Sequence, residues 1–419
     1  YNVGIGKDAL LANTTASGNV AVGVDSLTTN TTGASNTGVG VAALKDNTTA
    51  ANNSALGYEA LANNTTGASN TAVGHSALAT NTTGTLNSAI GFYSMYANTT
   101  GSYNTAIGEQ ALRTNTTGAE NAALSYKALH LNTTGEYNTA AGSGAMYSNT
   151  TGHSNTAIGQ SAMYANTTAT HNTALGIQAL DACTTGGGNT AIGNGALGAV
   201  TTAPSNTGVG GGCGRVMTTG TQNTYIGTSS GDRTTTGSSN VFLGHNAGFN
   251  NTTGGNNVCI GYRAGEGQFT TTTRQLYIAR DEGAASTSGV WIRGNSNGSC
   301  FQGDNSSTWT TASDERIKKD IVDSTEGLAK IDALQVRNFN YRTPEEITVD
   351  GLTGCDASGL QTGVIAQEIE TVLPKAVSIG NGTQKQVNTD PIFWAMVKAI
   401  QELSTKNDAL AARITALEA

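Results

Sequence analysis

Basic charge is scarce in this chain: 21 Lys and Arg stand against 29 Asp and Glu, for a net charge of −8. With no basic face to attract phosphate, nucleic acid is excluded as a partner, and so is an anionic lipid surface. Cysteine is sparse as well. The five thiols (Cys183, Cys213, Cys259, Cys300 and Cys355) are odd in number, far apart and without a C-x-x-C pair, which argues against a disulfide framework or a zinc site. No apolar run approaches the ~18 residues of a membrane helix. No signal peptide precedes Tyr1, so membrane insertion is not expected. The chain opens in mid-repeat without Met, and reads as a fragment whose attachment end is missing.

Charge is also absent locally. Of the 50 charged residues, 27 fall in the last 107 positions, leaving 23 for the first 312. One composition class cannot cover both parts. The expected division is a repeat rod at 1–273, a β-rich tip or neck at 274–312, and a charged domain at 313–419.

What fills the rod is a repeat. Asn opens a short apolar strand at 2, 19, 36 and onward to 257, sixteen copies at a period of 17 without a slip. The consensus, N-T-A-[I/V/L]-G-x-x-A-L-x-x-N-T-T-G-x-x, is nearly complete at Asn104–Gly118. A unit this short cannot bury its own apolar face and must stack on its neighbours, as a solenoid does. Each unit spends its length on Asn, Thr and Gly rather than on helix formers, so one β rung per repeat is expected. At ~4.8 Å per rung the rod would be roughly 75 Å long.

In this reading the aliphatic at the fourth position (Ile107, Ile158, Ile192) and the Leu at the ninth (Leu112, Leu180, Leu197) point inward. Asn at the first and twelfth form ladders that satisfy turn backbone, and Gly at the fifth and fifteenth allows tight corners. Two large apolar groups per rung bury little against the cost of ordering seventeen residues. Side-by-side trimerisation through the small residues at positions three and eight (Ala106, Ala111) would add the missing area. Where position three enlarges to Tyr225, Phe242 and Cys259, the packing is expected to widen.

Several motifs dissolve on this lattice. Gly208–Gly214 suggests a phosphate loop, but no G-K-[S/T] follows and its strand keeps the common register. The N-T-T triplets match the glycosylation pattern yet recur at position twelve for a structural reason. His75, His130, His153, His171 and His245 fall at mostly different repeat positions, so they read as solvated variable residues or local receptor contacts, not as a metal face. No cofactor or metal is expected.

Beyond the rod, Trp291, Phe301 and Trp309 read as small-core aromatics. In the charged domain Leu328, Ile331 and Leu334 have helical spacing, Val336 to Arg342 alternates as a strand, and Ile369, Val372 and Leu373 share a helix face that stops at Pro374. Asp390 and Pro391 read as N-cap and first residue of the last helix. Its heptads place Phe393, Ile400, Asn407 and Ile414 at a and Met396, Leu403, Leu410 and Leu417 at d, a coiled coil over 391–419. A buried Asn407 would set its register.

At the junction, Ser313 and Lys318 stand five residues apart. A hydroxyl beside an amine that burial has deprotonated is the minimal equipment of a serine nucleophile with a lysine base. The run S-D-E-R-I-K-K-D-I, then R-N-F-N-Y-R, then T-G-V-I-A-Q-E-I-E-T-V-L-P, resembles the self-cleaving intramolecular chaperone domain that ends phage endosialidase tailspikes and many tail fibres. The repeat is similar to the β-rolls of trimeric adhesin heads.

The resemblance implies Ser313 as nucleophile, Lys318 as general base, a cut at Ala312–Ser313, and Asp314 and Arg316 as motif support. It implies a mostly β fold: a trimeric β-roll or β-helix solenoid followed by a small α+β chaperone domain with a coiled coil. The expected function is a phage tail fibre, a virion rod assembled in the host cytoplasm. It would bind a cell-surface glycan or protein, join other tail proteins through its missing N-terminal part, and work as a single-turnover autoprotease with no external substrate. The alternative is a bacterial surface adhesin that retains its trimerisation clamp. A glycan-degrading tailspike ranks last, since the 13 acidic residues before Ser313 form no repeated pair.

Overall fold

The computed structural model describes residues 1–267, 270–279, 290–294, 300–302, 322–342, 346–347, 359–379 and 385–418, with backbone alone at 290, 291, 293 and 300–302. Two compact units divide the chain, Tyr1–Trp309 and Thr310–Ala419.

The first unit is a parallel β-solenoid. Sixteen three-residue strands, β1 (Val3–Ile5) to β16 (Val258–Ile260), each pair with the next. The offset is one repeat throughout, as in Thr105↔Ala122, Ala106↔Ala123 and Ile107↔Leu124. The other sides of each rung are bonded too: Leu112 donates its N–H to Ala128 at 2.9 Å and Thr116 to Thr133 at 2.9 Å. Three further strands follow, β17 (Leu276–Ala279), β18 (Val290–Gly294) and β19 (Cys300–Gln302). β17 continues the parallel stack, and β18 and β19 fold back antiparallel.

Two asparagine columns run through the interior. At position one, Asn121 donates its N–H to Asn104 Oδ1 (3.0 Å), while Asn104 Nδ2 reaches Gly118 O at 2.9 Å. At position twelve, Asn115 Nδ2 bridges Asn98 Oδ1 (2.8 Å) and Gly118 O (2.9 Å). Both columns are buried, so the N-T-T asparagines are structural. A buried amide that finds both a donor and an acceptor on its neighbours avoids the desolvation penalty that would otherwise exclude it.

The inward assignment holds for Leu112, Leu180 and Leu197, which are fully buried, and fails at position four. Ile107 and Ile158 are 43% and 41% exposed, and Ile192 is half-buried. Strand alternation allows only one of positions three and four to face in, and the fold chooses the alanine. Ala106 and Ala111 are fully buried inside the rung, so they cannot form the face between chains.

The reason is volume. The ninth-position leucine, held at positive φ (52° at Leu112), fills the rung and leaves room for a methyl only. Where position three becomes Tyr225 or Phe242, position nine becomes Gly231 or Gly248, and a Cβ there would stand 2.9 Å from the Tyr225 ring or 2.4 Å from the Phe242 ring. Large and small have changed places, so the packing does not widen; Tyr225 and Phe242 stack at 5.3 Å inside the same column.

The second unit is small and α+β. Helix α1 (Leu328–Asp332), strands β20 (Arg337–Phe339) and β21 (Gln361–Gly363), helix α2 (Ala366–Val372), a 3-10 turn (Pro374–Ala376), and strands β22 (Val377–Ile379) and β23 (Lys385–Val387) precede helix α3 (Thr389–Glu418). Ile369, Leu373, Ala376 and Ala395 form its core, with Ile331, Leu334, Val372 and Ile392 packed on it. Helix α3 begins at Thr389, so Asp390 lies in its first turn rather than at the cap. There its carboxylate faces the positive end of the helix, and the missing N–H of Pro391 falls where helices lack partners anyway.

Candidate functional site

Ser313, Lys318, Ala312, Asp314 and Arg316 lie outside the described residues, as does Trp309; so do the side chains of Trp291 and Phe301. What the structure describes is the scaffold that follows them. Gly327 offers no side-chain cap to α1. Instead Glu402 of α3 accepts the N–H of Leu328 at 2.9 Å, satisfying one of the orphan donors of a helix start. A Cβ on Gly327 would stand 2.3 Å from that carboxylate, so any side chain there would push Glu402 aside.

At the opposite end of α2, Lys330 Nζ donates to Val372 O at 2.9 Å, placing a cation where helix carbonyls are unpaired. The Arg337 fork grips Glu368 at 3.1 and 2.9 Å, and Lys385 pairs with Glu370. Sequence reasoning missed Glu402 and Lys330 because their partners lie 74 and 42 residues away.

Helix α3 turns only Ala395 and Ala399 fully inward. Its a and d residues face out: Phe393, Met396, Leu403, Leu410 and Ile414 are exposed, Ile400 is 66% and Leu417 84% accessible, and Asn407 is exposed with them. A heptad line of this kind on a single chain is an unpartnered seam.

A family model matches part of this unit. Residues 313–378 match the family described as chaperone of endosialidase, Peptidase_S74. The chain therefore carries a chaperone-of-endosialidase segment C-terminal to a β-solenoid rod, and the family is one of autoproteolytic peptidases. The matched segment opens at Ser313, takes in α1, β20, β21 and α2, and leaves α3 outside. No solved structure matches the chain.

Elsewhere, among the described residues, no cluster of His, Cys, Asp and Glu could hold a metal ion. His130 departs from the solvated reading: it is buried and stacks on Tyr147 at 5.0 Å. Burial pushes the Cys183 thiol up to about 11 and the Cys213 thiol up to about 12, so both stay protonated and unreactive near neutral pH.

Proposed function

We propose that the chain is a phage tail-fibre rod for host attachment, assembled as a homotrimer by its C-terminal domain, which then cuts itself off at Ala312–Ser313. The carrying observation is the chaperone-of-endosialidase match beginning at Ser313, on the C-terminal side of a sixteen-rung solenoid. In this reading Ser313 Oγ attacks the Ala312 carbonyl carbon while a neutral Lys318 takes its proton; the Ala312–Ser313 C–N bond breaks as that proton passes to the leaving amine, and water then hydrolyses the ester.

Two apolar lines support self-association. One is the α3 seam. The other is the fourth-position stripe, aliphatic in every rung but for Ala141 in place of a larger residue. A stripe repeating at the rung spacing along the whole solenoid is best covered by a surface of the same period, which is another copy of this chain. Whole-rung slips would be nearly isoenergetic, so a register-setting clamp is needed. Once the rod has zipped, release of the clamp leaves it kinetically trapped.

The intact mass of freshly folded protein tests this. The wild type should yield a fragment cut before residue 313, Ser313→Ala and Lys318→Ala should stay whole, and Lys319→Ala should still cut. An uncut wild type would favour a bacterial adhesin that keeps its clamp.

A further inference from the structure

Positions six, seven and ten of the repeat form a corner that the fold leaves free; in neighbouring rungs it carries Asn194, Gly195 and Gly198, or Gly211 and Gly212. Between residues 58 and 164 the same corner is crowded with rings. Tyr58 stacks on His75 at 4.9 Å, and His75 meets Phe92 at 5.3 Å. Tyr93 meets Tyr96 at 5.1 Å, with Arg113 over its ring at 5.5 Å. Higher up, His130, Tyr147 and Tyr164 form one parallel stack with centroids 5.0 and 5.1 Å apart and planes within 11° and 8°. Six of the chain's 13 tyrosines stand on this stretch of the corner.

Beside the upper stack lies a shallow depression of about 250 Å³, lined by Tyr126, Lys127, Ser143, Gly144, Tyr147, Gln160, Ser161 and Tyr164. It exists because rung nine places Ser143 and Gly144 where the rung below has Tyr126 and Lys127. The side chains of Ser143, Gln160 and Ser161 make no hydrogen bond to another described residue. Rings and unpaired neutral polar groups therefore alternate on one concave surface. A wholly apolar occupant would strand the amide and hydroxyls. A flat occupant with C–H faces and hydroxyl edges would satisfy both.

We propose that this depression and the ring column beside it bind a saccharide, with a pyranose face on the side of Tyr126 that Lys127 leaves open, sugar C–H groups along the edges of the stacked Tyr147 and Tyr164 rings, and hydroxyls on Gln160, Ser143 and Ser161. This rests on the attachment reading and narrows its receptor to a glycan. Lys127 would additionally accept a carboxylate on an acidic sugar.

The test uses the full chain in its assembled form on a panel of defined neutral and uronic-acid-containing oligosaccharides, with bound members titrated by calorimetry. Tyr147→Ala together with Tyr164→Ala should weaken binding about tenfold or more. Ser143→Trp, which fills the floor without removing a ring at a position that already accepts Tyr58 and Phe92, should abolish binding with assembly unchanged. Asn194→Ala, outside the depression, should bind as the wild type. Loss of Lys127 should weaken only the acidic members.

If the protein adsorbs to cells but binds no saccharide, and periodate treatment of those cells changes nothing while protease treatment does, the receptor is a protein and this proposal fails while attachment stands. If it adsorbs to nothing, the attachment reading falls too. If the tyrosine pair changes the oligomeric state rather than saccharide affinity, the rings are an intersubunit contact and the proposal is overturned.

Discussion

Asn166 and Cys183 occupy the same place one rung apart, and the ladder of carboxamides stops between them. Asn166 Nδ2 donates to Asn149 Oδ1 at 2.6 Å, but its own Oδ1 is buried with no partner, because Cys183 turns its thiol to Gly186 O at 3.2 Å. Ten asparagines from Asn13 to Asn166 precede this end, and Val200 and Met217 continue the column without amides.

This ladder ends in an orphan, so its middle matters more than its end. Replacing Asn115 by Ala strands Asn98 Oδ1 and takes away the acceptor that Asn132 Nδ2 finds in the rung below, while Gly118 O keeps Asn104 Nδ2; it should cost about 2–3 kcal/mol. Cys183→Asn only moves the orphan up one rung and should change stability by less than ~1 kcal/mol. Thermal unfolding of the two variants checks this; equal effects would mean that the amides are not coupled along the column.

Facing decides which residue breaks the fold and which breaks assembly. Leu112→Asp places a charge in a filled rung with no counter-ion and should abolish the soluble solenoid. Ile107→Asp should leave the circular dichroism of the rod intact while reducing the oligomer seen in sedimentation. Loss of folding at Ile107 would contradict its outward orientation.

The exchange between positions three and nine suits a double-mutant cycle. Phe242→Ala opens a cavity and should cost ~3–5 kcal/mol, and Gly248→Leu alone should be comparably damaging because its Cβ meets the ring. The pair together restores the Ala-and-Leu pattern of the earlier rungs, and should recover at least about half of the loss. Gly248 already has φ 60°, and Leu112 adopts 52°, so the backbone accepts the change. Additive losses in the unfolding midpoint would refute the exchange.

His130 links stability to pH. Burial holds its imidazole below the ordinary value of 6.5, so the folded chain binds its proton more weakly than the unfolded one. The stabilising contribution of the neutral ring is present above 6.5 and is lost as pH falls from there through the folded value. The unfolding midpoint should drop below pH 6.5 more steeply in wild type than in His130→Phe. Parallel curves would show that the ring titrates freely.

Period, strand placement and both asparagine columns were legible because each depends on spacing alone. Facing was not, since alternation admits two solutions and the larger side chain suggested the wrong one. The deciding signal was available: Gly231 and Gly248 replace leucine in the same rungs where Tyr225 and Phe242 replace alanine. Single-repeat reading hides such a covariation, and comparison between rungs reveals it. The C-terminal helix and the exposed apolar line along it, with its seven-residue spacing, were readable for the same reason as the rungs. The bonds of Glu402 and Lys330 were not, because nothing in local sequence announces a partner so far along the chain.

Uniform register makes the solenoid a ruler. Each of the rungs up to Asn166 meets only its neighbours, through the same backbone bonds and the same two amide columns, so removing residues 104–120 would join Tyr103 to Asn121 with the surviving contacts kept in kind. Length can then change in steps of ~4.8 Å without redesign of the core. What shifts is height: the ring-lined corner would ride nearer to one end or the other, and copies paired one rung out of step would present their faces at unequal levels.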